Sequence, residues 1–161
     1  LQEPDRDPDC DLLFDATKLV MRCPALHNGY NQNDAQCMIE LERQGISAGI
    51  VFFTVAPEVS EADKTQLREA LATLLKDPER QDAFRCTGFG RALRYEYVEG
   101  LFWDSKTIFD LLLEWFKSQP KIKQAAFHSF LRICGSGIFK SPDQDETETS
   151  DGSDTSEEVV R

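Results

Sequence analysis

One stretch constrains the fold more than any other: Ala48-Gly-Ile-Val-Phe-Phe-Thr-Val-Ala56 is almost continuously apolar and rich in β-branched and aromatic residues. Half-buried strands alternate apolar with polar side chains. A run without alternation is the pattern of a strand buried on both faces. Such a strand needs cover above and below it, so the chain reads as a layered α/β protein with this run inside.

The flanking sequence supplies the layers. Leu67, Ala70, Leu71, Leu74 and Leu75 recur at helical spacing. Ser60 and Asp63, three apart, form a relative of the capping box, and Asp77-Pro78 stops the helix. Ser105 is placed to cap a second helix carrying Ile108, Phe109, Leu112, Trp115 and Phe116, closed by Pro120. A third is expected over 34–44, with Asn33 as its cap and Gly45 just past its end. Before it, Lys18 to Arg22 reads as a strand ended by Pro24, and 23–32 as a loop. Asp82 to Thr87 reads as a short strand, and Leu93, Tyr95 and Tyr97 alternate in a second that ends at Gly100. Residues 121–134 are buried as either helix or strand. Strands alternating with helices imply a three-layer α/β fold, a mostly parallel sheet flanked by helices on both faces. Catalytic groups in such sheets gather at the carboxyl ends of the strands, and the turns after Cys86 and Cys134 are two candidate ends.

Charge divides the chain further. The net charge is −11, but residues 1–11 hold five acids and one Arg, 141–161 hold eight acids and one Arg, and 12–140 are neutral. The expected organisation is a disordered acidic lead over 1–11, a folded domain over 12–140, and a disordered acidic Ser/Thr-rich linker or tail over 141–161. Without a basic excess to displace counterions, nucleic acid is not an expected partner. Inside the domain, 80–140 is basic, led by Arg80, Arg85, Arg91 and Arg94. That is either a solvated face or a site for an acidic partner, or for the chain's own acidic tail. No stretch approaches the roughly 18 apolar residues of a membrane span, and no secretory signal is visible. The chain opens on Leu1, which reads as a processed or partial chain. Five cysteines without CxxC spacing argue against a zinc site or redox pair, and for reduced thiols in a cytoplasmic setting. Neither metal nor cofactor is expected.

Cys134 closes the apolar run Ala125-Ala-Phe-His-Ser-Phe-Leu-Arg-Ile-Cys134 and opens onto Gly135-Ser136-Gly137. That is where a nucleophilic thiolate would be presented, yet a thiolate near neutral pH needs a base or cation beside it. The two histidines are His27 and His128, and neither stands where such a partner is expected. A lone cysteine in apolar surroundings is also ordinary core.

The order of elements and several short stretches resemble the large subunit of a caspase. Arg132-Ile133-Cys134-Gly135-Ser136 occupies the slot of the family's Q-A-C-[RQG]-G signature with the cysteine kept. Caspases carry a catalytic histidine in a Ser-His-Gly turn after a cysteine-bearing strand. Here Thr87-Gly88-Phe89-Gly90 follows Cys86, so Gly90 matches the glycine, the oxyanion-turn position, and Phe89 stands for the histidine. His27, in His27-Asn28-Gly29, takes the place of the Arg that binds a substrate aspartate. Tyr97-Val-Glu-Gly100 with Ser105 to Asp110, and Gln119 to Ile122, are similar to segments that follow in the family. Glu148-Thr-Ser-Asp151, before Gly152, looks like a caspase processing site at Asp151.

The resemblance implies a caspase-like fold without ordinary caspase activity. Losing a catalytic acid–base costs about 10²–10⁴-fold, and a mostly neutral imidazole at 27 cannot make the bidentate contact of an Arg. The function it implies is a non-catalytic regulator that pairs with a caspase small subunit and modulates an active caspase in cell death or immune signalling. One rival is an active cysteine endopeptidase using His27 or His128 as base. A second is an unrelated α/β protein-interaction module. A thioredoxin-like protein fits less well, since CxxC is absent.

Overall fold

The computed structural model of the chain describes residues 17–32, 34–131 and 136–142. The acidic lead 1–11, the tail 143–161 with Asp151, Asn33, and residues 132–135 with Cys134 lie outside the described residues. The elements are β1 (Thr17–Met21), α1 (Pro24–Asn31), α2 (Gln36–Arg43), β2 (Ser47–Val55), α3 (Glu61–Leu75), a 3₁₀ turn (Pro78–Arg80), β3 (Phe84–Arg91), β4 (Glu96–Phe102), α4 (Ser105–Lys117), β5 (Ile122–Ser129) and β6 (Ser136–Lys140).

All six strands form a single sheet in the order β1-β3-β4-β2-β5-β6, and every neighbouring pair is antiparallel. This overturns the expected mostly parallel, caspase-like sheet. The physical reason lies in what fills the gaps. β2, α3 and β3 do form a strand–helix–strand unit whose two strands run the same way, but β4 inserts between them. Likewise β4 and β5, joined through α4, run parallel with β2 between them. The segment β2-α3-β3-β4-α4-β5 therefore has the split βαβ connectivity, β-α-β-β-α-β, and β1 and β6 extend it at either side.

Both faces of the sheet are covered. Val51, Phe53, Val98 and Phe127 point toward α3 and α4, where they meet Leu71, Leu75, Ile108, Leu112 and Phe116. Ile50, Phe52, Tyr97 and Ala126 point the other way, toward Leu26 and Tyr30 of α1 and Met38 of α2. β2 is thus the doubly buried strand that its composition demands, with all of Ala48–Phe53 buried. At about 25 cal/mol per Å² of apolar surface, these two cores supply most of the drive to fold.

Local chemistry accounts for the helix ends. Ser60 Oγ accepts the Asp63 N–H at 3.2 Å to start α3. α4 is capped by Asp104 rather than Ser105: its carboxylate accepts the Thr107 N–H at 3.2 Å and the Thr107 hydroxyl at 2.6 Å. α2 begins at Gln36, with Ala35 as N-cap, and ends before Gly45 at φ 76°, a conformation suited to glycine.

Three expected loops or turns are regular structure. Residues 24–31 form α1, because Pro24 sits in its first turn, where a missing N–H costs nothing. Thr87–Gly90, expected as a turn, lies inside β3. Glycine is needed there because a side chain at 88 would collide with the Val20 carbonyl of β1. Ser136 and Gly137 start β6 on the flank of β5.

Candidate functional site

The residues singled out in the sequence do not converge in this topology. Phe89 and Gly90 are on β3. Phe89 pairs with Val98, Val98 with Val51, and Val51 with Phe127, so three strand spacings, about 14 Å, separate Phe89 from β5. β3 and β5 run in opposite directions, so their carboxyl ends, Arg91 and Ser129, lie at opposite ends of the sheet. The segment holding Cys134 follows the far end. His27 is on α1, against the other face of the sheet from α3. His128 Nδ1 is 2.9 Å from Ser136 Oγ across β5 and β6, and its ring meets Tyr30 edge-on at 6.3 Å. Cys23, Cys37 and Cys86 are free thiols. Burial pushes the Cys86 thiol up from its ordinary value, which keeps it protonated near neutral pH.

Around Phe89 the structure gathers charge instead. The Arg68 guanidinium of α3 lies 5.2 Å from the centre of the Phe89 ring, and the Lys76 ammonium 5.6 Å, both as cation–π contacts. Arg68 is buried, and its Nη1 donates to Glu96 Oε2 at 2.7 Å. Arg91 Nε donates to Glu96 Oε1 at 2.5 Å, so Glu96, 2% exposed, accepts from two guanidiniums at once. Arg91 reaches onward to Thr65 Oγ1 at 3.0 Å and Glu61 Oε2 at 3.2 Å. Glu61 also accepts from Lys64 at 2.9 Å, and this ammonium holds the Glu61 carboxyl below its usual range. Arg68 Nε is buried without a partner among the described residues.

The strands dictate this arrangement. A bulge between Cys86 and Gly88 shifts the β3 alternation by one, so that Phe89 and Arg91 face α3. Glu96 opens β4 directly across from Arg91, on the same face as Val98.

The cluster forms one wall of a cavity of about 500 Å³ at the carboxyl end of β2. Phe53, Val55, Ala56 and Tyr95 give it an apolar side, while Lys64, Arg91 and Arg94 face Glu61 and Glu96. Arg94 has no carboxylate partner among the described residues. The lining therefore carries three cations (Lys64, Arg91 and Arg94) against two carboxylates, and buried Arg68 backs Glu96 from behind it. The site has an excess of positive charge beside an apolar surface, suited to an anionic group attached to something greasy.

Of these residues, only Arg91 and Arg94 were evident as leading a basic region. Arg68 and Glu96 carry a sequence signal as well: Arg68 falls within the apolar stripe of α3 beside Leu67, Leu71 and Leu75, and Glu96 stands between Tyr95 and Tyr97. A charge at a position the pattern buries points to a buried partner.

No protein-family model matches this chain, and no curated protein or solved structure matches it.

Proposed function

We propose that this chain is an α/β protein-interaction module whose cavity at the β2, β3 and β4 ends receives an acidic side chain of a partner segment together with a neighbouring apolar one. One observation carries the reading: three cations, one of them without an ion-pair partner among the described residues, face two carboxylates beside the apolar wall of Phe53, Val55 and Tyr95. A carboxylate entering between Arg94 and Lys64 would pair with an exposed guanidinium and with an ammonium held by Glu61. Arg68 and Arg91 are already locked in place by Glu96, so little ordering cost remains. The caspase-regulator expectation rested on the order and spacing of short stretches resembling that family; the all-antiparallel sheet is not the sheet that resemblance implies, and the reading is not carried into this proposal.

Binding of a short fluorescent peptide rich in Asp and Glu with one Phe, followed by anisotropy at low salt, tests it. Arg94→Glu reverses a rim charge without touching the Glu96 cluster. It should weaken binding about tenfold, or about 1.4 kcal/mol, while leaving the circular dichroism unchanged. Equal binding by the wild type and by Arg94→Glu, or no preference for the acidic peptide over its Asn/Gln counterpart, would sink the proposal.

A further inference from the structure

We infer that the occupant of this cavity is the chain's own acidic segment 143–161. The inference rests on the reading above and gives it a partner. Three independent observations support it.

The first is position. β6 ends at Lys140, which pairs with Ala125; Ala125 pairs with Phe53, Phe53 with Glu96, and Glu96 with Arg91. These five residues lie in one row across the sheet. The segment therefore leaves the domain at the same sheet end as the cavity, three strand spacings or about 14 Å from Glu96. From residue 143 an extended chain spans about 3.3 Å per residue, so its acids reach the cavity with slack.

The second is charge. Residues 143–161 hold eight acids (Asp143, Asp145, Glu146, Glu148, Asp151, Asp154, Glu157 and Glu158) against Arg161 alone. The cavity lining carries three cations against two carboxylates, a complementary excess of one. Between the two lies a shallower hollow where Lys121 and Lys123 face Glu58 and Asp63. That stretch is balanced, so the attraction is centred on Lys64, Arg91 and Arg94.

The third is composition. The cavity combines cations with an apolar wall, and 143–161 has one place where acidic and apolar side chains adjoin, Glu157-Glu158-Val159-Val160. Two carboxylates can engage Arg94 and Lys64 while a valine meets Val55 and Tyr95. A short tether supplies an effective concentration of about millimolar, so even a weak contact is populated. An acidic partner must then displace this segment, which makes the cavity self-occluding.

A synthetic fluorescein-labelled 143–161 peptide tests this against two full-length chains. One is the wild type. The other has its eight acids in 143–161 changed to Asn or Gln, which leaves the domain untouched. The peptide should bind the neutralised chain about tenfold more tightly than the wild type, and Arg94→Glu in the neutralised chain should remove that binding. Equal affinity for both chains would overturn self-docking while leaving the cavity as a site for acidic partners. Binding to neither would overturn self-docking as well, and the anisotropy experiment above would then decide the reading beneath it.

Discussion

Glu96 is the residue on which the charged site depends. It is buried between Arg68 and Arg91 with both carboxylate oxygens in use. Removing one member of a buried ion pair leaves the others as uncompensated charges, at about 3–5 kcal/mol. Glu96→Ala should lose roughly that much stability in urea melts, because Arg68 is nearly inaccessible and cannot turn to water. Loss below about 1 kcal/mol would show that the guanidiniums find solvent, and that the cluster is looser than its 2.5 and 2.7 Å contacts indicate. Gly100 shows the opposite kind of constraint. A side chain there would run into the ring of Phe84, so the position is set by packing and not by a turn.

At the scale of elements, α3 was legible almost residue by residue. Its apolar period, its cap and its stop all act within a few positions of one another. Ser60→Ala removes the acceptor of the Asp63 N–H and should cost about 1 kcal/mol, seen as earlier amide exchange in the first turn of α3; an unchanged exchange pattern would show that solvent replaces the cap. β3 was not legible in the same way. Its glycines at 88 and 90 match a turn by composition, and only the close approach of β1 explains Gly88 in a strand. α1 was hidden similarly, since Pro24, Asn28 and Gly29 look like loop residues until Leu26 and Tyr30, four apart, are seen to pack on the sheet. The continuous apolar run of β2 truly marks burial on both faces. Burial on both faces says nothing of strand direction, and β2 is doubly buried between two antiparallel neighbours.

For the whole molecule, stability should depend on pH on the alkaline side. Burial raises the Cys86 thiol and the Tyr97 phenol above their ordinary values. Tyr97 Oη has no hydrogen-bond partner among the described residues. A raised acid keeps its proton longer in the folded state than in the unfolded chain. The unfolded chain therefore ionises first, beginning near the ordinary thiol value of about 8.5 and the phenol value of about 10, and stability falls as pH rises through that range. Urea midpoints should be flat between about pH 6 and pH 8 and decline above it. Tyr97→Phe should remove the decline that sets in near pH 10 and raise stability by about 1 kcal/mol at pH 7, where it relieves a buried unpaired hydroxyl. A decline identical in the variant would assign the alkaline loss to other groups.

The sequence alone determined the doubly buried strand, the two strong helices with the cap of α3, the segregation of acidic charge into the ends, and a basic region led by Arg80, Arg85, Arg91 and Arg94. These follow from periodicity, capping and charge counts, which are properties of neighbours along the chain. Only the tertiary structure decided which strands lie side by side, because pairing is set by which strand fills the gap that each strand–helix–strand unit leaves open. That choice made the sheet antiparallel, set the ends of β3 and β5 apart, and brought Arg68, Arg91 and Glu96 together from three separate elements around one carboxylate.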